Sequence, residues 1–185
     1  SNSEELPNII IILADDLGWN DISFYGGGLG NGAVQTPNID RIAAEGVHFS
    51  NGYAGNATCA PSRAALLTGR YPTRYGFEFT PAPASLMSLV ATFDSHREQL
   101  HPGYFLEENL SDFPPFEEQG VPTTEILLPE ILASKDYHSI LLGKWHLGES
   151  EGYTPNDRGF DEFLGFLAGG AMFAEYDDPA MIKSI

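Results

Sequence analysis

Cys59, Pro61 and Arg63 stand at alternate positions in the run Ala57-Thr58-Cys59-Ala60-Pro61-Ser62-Arg63-Ala64-Ala65-Leu66-Leu67-Thr68-Gly69, and Cys59 is the single cysteine among 185 residues. Proline suits the first turn of a helix, where its missing N–H costs nothing. Ala64 to Leu67 are good helix formers and Gly69 is a natural stop. Cys59 is therefore expected at or just before a helix N-terminus, where unsatisfied N–H groups and the macrodipole favour anions. Arg63, four residues on, shares its face and adds a fixed cation. A thiolate stabilised there could act as a nucleophile. A phosphatase-type phosphate loop, however, puts its arginine six residues after the cysteine, and here the gap is four. The plain alternative is an inert cysteine buried beside a helix cap.

Two further groupings could do chemistry. Asn8 to Ala14 reads Asn-Ile-Ile-Ile-Ile-Leu-Ala, the pattern of a strand buried on both faces in a parallel sheet, and it runs into Asp15-Asp16-Leu17-Gly18. Ligands of open α/β sheets bind beyond the carboxyl ends of strands, and paired carboxylates suit hard cations such as calcium or magnesium. On its own, Asp-Asp at a strand end is more often a turn and a helix cap. The other grouping is Gly143-Lys144-Trp145-His146-Leu147-Gly148, at the end of a predicted strand over His138–Leu142. Residues two apart on extended backbone face the same way, so Lys144 and His146 are expected to point together.

The elements that would position these groups alternate as in an α/β fold. Thr36 should cap a helix with Pro37 at its first position, Ile39, Ile42 and Ala43 as its apolar face, and Gly46 at its end. Val47 to Tyr53 alternates well enough for a short strand leading into the cysteine loop. Phe77 to Pro122 is acidic, rich in Pro and Phe and weakly periodic; it reads as an insertion or lid with one helix near Ser85–Phe93. His96 and His101 fall within it, as exposed loop histidines. A helix over Pro129–Lys135 and the 138–142 strand follow. No Gly-rich phosphate cradle opens a helix, and there is no internal repeat. Asn56-Ala57-Thr58 and Asn109-Leu110-Ser111 fit the glycosylation pattern, but a glycan on the first would obstruct the cysteine site.

Composition narrows the function classes. Hydrophobic residues make up 42% and aromatic residues 12%, which calls for a folded domain with a sizeable core. A formal net charge of −17 argues against nucleic acid or an anionic membrane as partner. No apolar run is long enough to span a bilayer. One cysteine forms no internal disulfide and says little about compartment. Ser1-Asn2 looks like the remnant of tag removal, so a targeting peptide would lie upstream. Four of nine Lys and Arg residues (Arg63, Arg70, Arg74 and Lys144) fall in or beside these motifs, suggesting a local positive island in an acidic protein.

Cys-x-Pro-x-Arg followed by Ala-Ala-Leu-Leu-Thr-Gly resembles the sulfatase family. Thr36-Pro37-Asn38-Ile39-Asp40-Arg41-Ile42-Ala43, the run from Gly69 to Gly76, the Lys144–His146 motif and Gly152-Tyr153-Thr154-Pro155-Asn156-Asp157-Arg158-Gly159-Phe160-Asp161-Glu162-Phe163 continue the likeness in order. One departure is Asp136, where the family usually has glycine before Tyr137. The resemblance implies the alkaline-phosphatase-like α/β fold, a three-layer sandwich with a mostly parallel central sheet, of which residues 1–185 are the N-terminal part of the catalytic domain. It implies hydrolysis of a sulfate ester, on a small molecule or a saccharide, through a formylglycine made from Cys59 by a formylglycine-generating enzyme. It also implies one divalent cation, calcium, held by Asp15, Asp16 and residue 59, and export to a periplasmic, extracellular or lysosomal site. In this reading the hydrated aldehyde attacks sulfur with one hydroxyl and expels sulfate by losing the proton of the other. Arg63 fixes the diol, Lys144 binds a sulfate oxygen, and His146 hydrogen-bonds the diol or the sulfate. The family's later Asp-Asn ligands, His and Lys are not in this stretch. Rival readings are a phosphodiesterase or phosphonate monoester hydrolase on the same scaffold, a non-catalytic anion-binding homologue, and a thiolate phosphatase.

Overall fold

The computed structural model describes residues 6–95, 114–169 and 182–184. They divide into two compact units, Ser1–Tyr53 and Ala54–Ile185. In the first, a short glycine-bearing turn of helix, α1 (Leu29–Gly32), precedes α2 (Pro37–Glu45). Helix α2 has the predicted limits, with Thr36 at its N-cap and Gly46 at its C-cap. Thr36 does not cap through its hydroxyl, which instead donates to Asp40 Oδ1 at 2.8 Å and accepts from the Ser23 amide at 3.0 Å. Ser23 Oγ donates to Asp40 Oδ2 at 2.6 Å, and this bond, first among its partners, holds the Asp40 carboxyl below the ordinary carboxylate range. The Ser23–Tyr25 turn is thereby tied to the first turn of α2.

Two strand expectations are not met in this unit. Asn8–Ala14 belongs to no ladder, and Ile9 to Leu13 are 48–84% exposed. A parallel strand is buried only when neighbours flank it and helices cover both faces. The described residues of the first unit include no strand at all. Val47–Tyr53 likewise forms no strand, and Val47, Phe49 and Tyr53 are exposed. Apolar alternation reports a wish for partners rather than their presence.

The second unit contains α3 (Cys59–Thr68), α4 (Ala84–Ser95), α5 (Leu128–Ala133), β1 (Ile140–Lys144), β2 (Glu162–Phe166) and β3 (Ile182–Ser184). Helix α4 covers the predicted helix of the 77–122 stretch; His96, His101 and Asn109 lie outside the described residues. Strand β1 starts two residues later than predicted. It pairs in parallel with β2, Ile140 opposite Glu162 and Lys144 opposite Phe166, and β2 pairs antiparallel with β3. Gly165 lies directly across from Gly143 with no room for a side chain, since a Cβ would collide with the Gly143 carbonyl. Just before the strands, His138 Nε2 bonds Glu162 Oε1 at 2.6 Å, which raises the imidazole pKa above its ordinary value. The Asp136 that replaces a family glycine has φ 61°, the left-handed conformation that favours glycine.

One core joins these pieces: Ala60 and Ala64 of α3, Phe77, Val121, Leu127, Trp145, Leu147 and Phe163. Both ends of the 77–122 stretch are fastened. Phe77 and Val121 lie in the core, and the Ala82 amide donates to Gln119 Oε1 at 2.8 Å. Arg158, only 2% exposed, donates to the carbonyls of Val121 (2.9 Å) and Glu125 (2.6 Å). The Val121 amide in turn donates to Leu147 O at 3.0 Å. Arg158 thus clamps the 121–125 backbone against the chain leaving β1. Arg158→Ala strands two carbonyls and Glu130, whose Oε1 lies 3.6 Å from Arg158 Nε. It should cost about 3 kcal/mol in denaturant unfolding, with Arg158→Lys recovering less than half, because an ammonium lacks the guanidinium fork.

Candidate active site

Helix α3 starts at Cys59 itself, with Thr58 as N-cap in extended conformation. Asn56 Oδ1 accepts from the Thr58 amide (3.0 Å) and hydroxyl (3.1 Å), an Asx-type turn that sets the entry of the chain. Pro61 is the third helical residue, where its missing N–H is still one of the unbonded donors. Gly69 ends the helix with φ 65° and donates to Ala65 O. Ala60 and Ala64, four apart and fully buried, form the face that seats α3 in the core. Cys59 and Arg63 each precede one of those alanines and are partly buried at the rim of that face.

Arg63 crosses 81 positions of sequence to β1: its Nη1 donates to the Lys144 carbonyl at 2.8 Å. The cysteine helix and the Lys144–His146 motif are thus parts of one assembly. The motif is not the extended strand end that the sequence suggested. Gly143 has φ 101°, His146 φ 64° and Gly148 φ 123°. Strand alternation stops at Lys144, so the two-residue argument for Lys144 and His146 does not hold. Ladder-like bonds to the chain leaving β2 set the position of His146 instead: the Trp145 amide donates to Phe166 O (3.0 Å) and the His146 amide to Leu167 O (2.9 Å). Trp145 is buried, and its indole N–H donates to Tyr153 O at 2.9 Å. His146 is 4% exposed.

The expected positive island narrows. Arg70 Nη1 bonds both carboxylate oxygens of Glu125 (2.7 and 2.6 Å), and Arg74 is exposed. Arg70 is thereby committed to Glu125. Asp15 and Asp16 lie in the first unit, both exposed, and Asp16 has φ 57°. Two adjacent carboxylates have the donor chemistry a hard cation requires, but only part of its six or more oxygens. Among the described residues, no three His, Cys, Asp or Glu side chains gather to hold a metal.

Sequence reasoning overlooked Arg158, Glu125 and Gly169. In the sequence Arg158 stands only as part of a motif, and an arginine beside Gly159 in an acidic chain is the available signal. Gly169 carried none.

Comparison with known proteins gives the family. The sulfatase family profile matches residues 7–184. Human N-acetylgalactosamine-6-sulfatase is 39% identical over 180 residues, 97% of this chain and 29% of that protein. Human arylsulfatase A is 37% identical over 161 residues, 86% of this chain and 25% of its own. The crystal structure of Ps i-CgsB superposes with TM-score 0.65 at 37% identity, covering 91% of this chain and 30% of that one. Its complex with k-i-k-neocarrahexaose gives 0.64 at 36%, with the same coverage. The chain thus spans under a third of the length of these relatives. No described helix is long and apolar enough to cross a membrane. With the match running through nearly every residue, and with Cys59, Arg63 and Lys144 on one shared scaffold, the chain belongs to the sulfatase family and has its alkaline-phosphatase-like α/β fold.

Proposed function

We propose that the complete protein hydrolyses sulfate esters carried on saccharides, adding water across the S–O bond to release an alcohol and inorganic sulfate. The observation that carries this reading is the Arg63–Lys144 junction: a cysteine at a helix N-terminus, with an arginine one turn on that is anchored to the backbone of a lysine. The saccharide class is supported by the relatives, one named N-acetylgalactosamine-6-sulfatase and one crystallised with k-i-k-neocarrahexaose. In the mature protein Cys59 is converted to formylglycine by a formylglycine-generating enzyme, and the protein acts after export. The hydrated aldehyde supplies a nucleophilic hydroxyl and a built-in route for releasing sulfate.

Each residue then has a physical task. Arg63 offers a fixed, permanently charged donor fork beside residue 59, where negative charge develops during attack. Lys144 neutralises a sulfate oxygen. His146, held nearly out of solvent, hydrogen-bonds the diol or the sulfate. Asp15 and Asp16 would hold a divalent cation, calcium by family likeness, which supplies Lewis-acid polarisation and orientation.

Turnover of an aryl sulfate against an aryl phosphate diester tests the reading. The sulfate should be favoured by at least on the order of 10²-fold in kcat/KM, and a preference for the diester would reassign the protein to phosphodiester chemistry. Metal analysis tests the carboxylates. Replacing both Asp15 and Asp16 with Ala in the complete protein should remove bound calcium and lower kcat on the order of 10²–10³-fold. Because both residues are exposed, the fold should survive, with a thermal midpoint in chelator lowered only by the cost of placing Ala at the left-handed φ of Asp16. Stoichiometric calcium in the double variant would contradict the assignment.

A further inference from the structure

Gly169 lies three residues beyond β2, and a side chain there would first meet the His146 ring. A Cβ on Gly169 would lie 2.8 Å from His146 Cδ2 and closer still to Cε1 and Nε2; these ring atoms are its three nearest neighbours. Carbon atoms in good contact sit about 3.5–4.0 Å apart, so a methyl and the imidazole cannot both occupy this space. The backbone itself does not demand glycine, because Gly169 is not among the residues with left-handed φ. That separates it from Gly143, Gly148, Gly152 and Gly159, whose φ values alone explain them. The ring also has little room to yield. His146 is 4% exposed, its own φ is 64°, and its amide is bonded to Leu167 O, two residues before Gly169.

We infer that Gly169 is a positioning residue for His146: the missing side chain leaves the space in which the imidazole sits, and so fixes where its ring nitrogens point. The loop leaving β2 serves His146 twice, through the Leu167 carbonyl on its backbone and the bare Cα of Gly169 against its ring. This rests on the reading of His146 as a group that touches the diol or the sulfate. Ring placement then matters for turnover, since misplacing a hydrogen-bonding group by about 1 Å can cost on the order of 10²-fold.

The test is a cycle of Gly169→Ala, His146→Ala and the double variant in the complete protein. It is read by aryl sulfate kinetics, thermal unfolding and the imidazole 15N resonances of His146, assigned by their loss in His146→Ala. Gly169→Ala should lower kcat at least tenfold with KM within twofold, and should shift the His146 ring resonances. Adding Gly169→Ala to His146→Ala should lower kcat no further, because the obstacle has gone. Should Gly169→Ala alone fail to fold, the double variant should fold. Wild-type kcat with unshifted ring resonances in Gly169→Ala would overturn the inference. Equal losses in the presence and absence of the His146 ring, or a double variant that also fails to fold, would do the same. A wild-type protein inactive on sulfate esters would defeat the sulfatase reading instead, and the ring resonances would still decide whether Gly169 positions His146.

Discussion

The hydrogen bond from Arg63 to the Lys144 carbonyl is the constraint on which the second unit's chemistry depends. A ten-residue helix is marginal in isolation, and α3 persists because Ala60 and Ala64 bury its underside. Burial of two small side chains sets the depth of the helix but says little about its rotation or slide. The Arg63 strap supplies that registration by fixing the second turn of α3 to the last residue of β1. Arginine suits the position because a planar guanidinium can commit one N–H to a carbonyl while keeping its charge and orientation toward an anion. Lysine would make the same bond as a flexible point charge and lose the orientation.

The Gly143–Gly148 turn meets a second demand. Holding a non-glycine residue in the left-handed region costs on the order of 1–3 kcal/mol and persists only where its surroundings compel it. Around His146 the compulsion is visible: two amide bonds to the end of β2 and the residue after it, a buried Trp145 with its indole satisfied, and glycines on either side that absorb the rest of the turn. Arg158 holds the opposite wall by bonding the carbonyl of Val121, whose amide meets Leu147. The buried Arg158 guanidinium and Trp145 indole are both bonded to backbone carbonyls, which stiffens this part of the chain.

Local chemistry was legible in the sequence, and distant partnership was not. The limits of α2, the glycine stop of α3 and the helix within 77–122 follow from capping, proline and glycine rules that act within one turn. The family likeness rests on the same kind of short-range signal. Asn8–Ala14 and Val47–Tyr53 missed because strand formation depends on neighbours that a local pattern does not contain. The two-residue argument for Lys144 and His146 lost its footing because strand periodicity was carried beyond Lys144, to a residue whose φ is positive. The salt bridge that removes Arg70 from the positive island joins residues 55 apart, and Gly169 has meaning only beside His146. None of these leaves a trace at short range.

The account turns on the state of residue 59, and a mass measurement of the peptide containing it addresses that most directly. The complete protein, made where formylglycine-generating enzyme is present, should carry the aldehyde or its hydrate in place of the Cys59 thiol. Sulfatase activity across preparations should rise in proportion to the converted fraction, and Cys59→Ser made in the same host should be inactive. Full activity in a preparation whose Cys59 is entirely unmodified thiol would contradict the account and restore the thiolate as nucleophile.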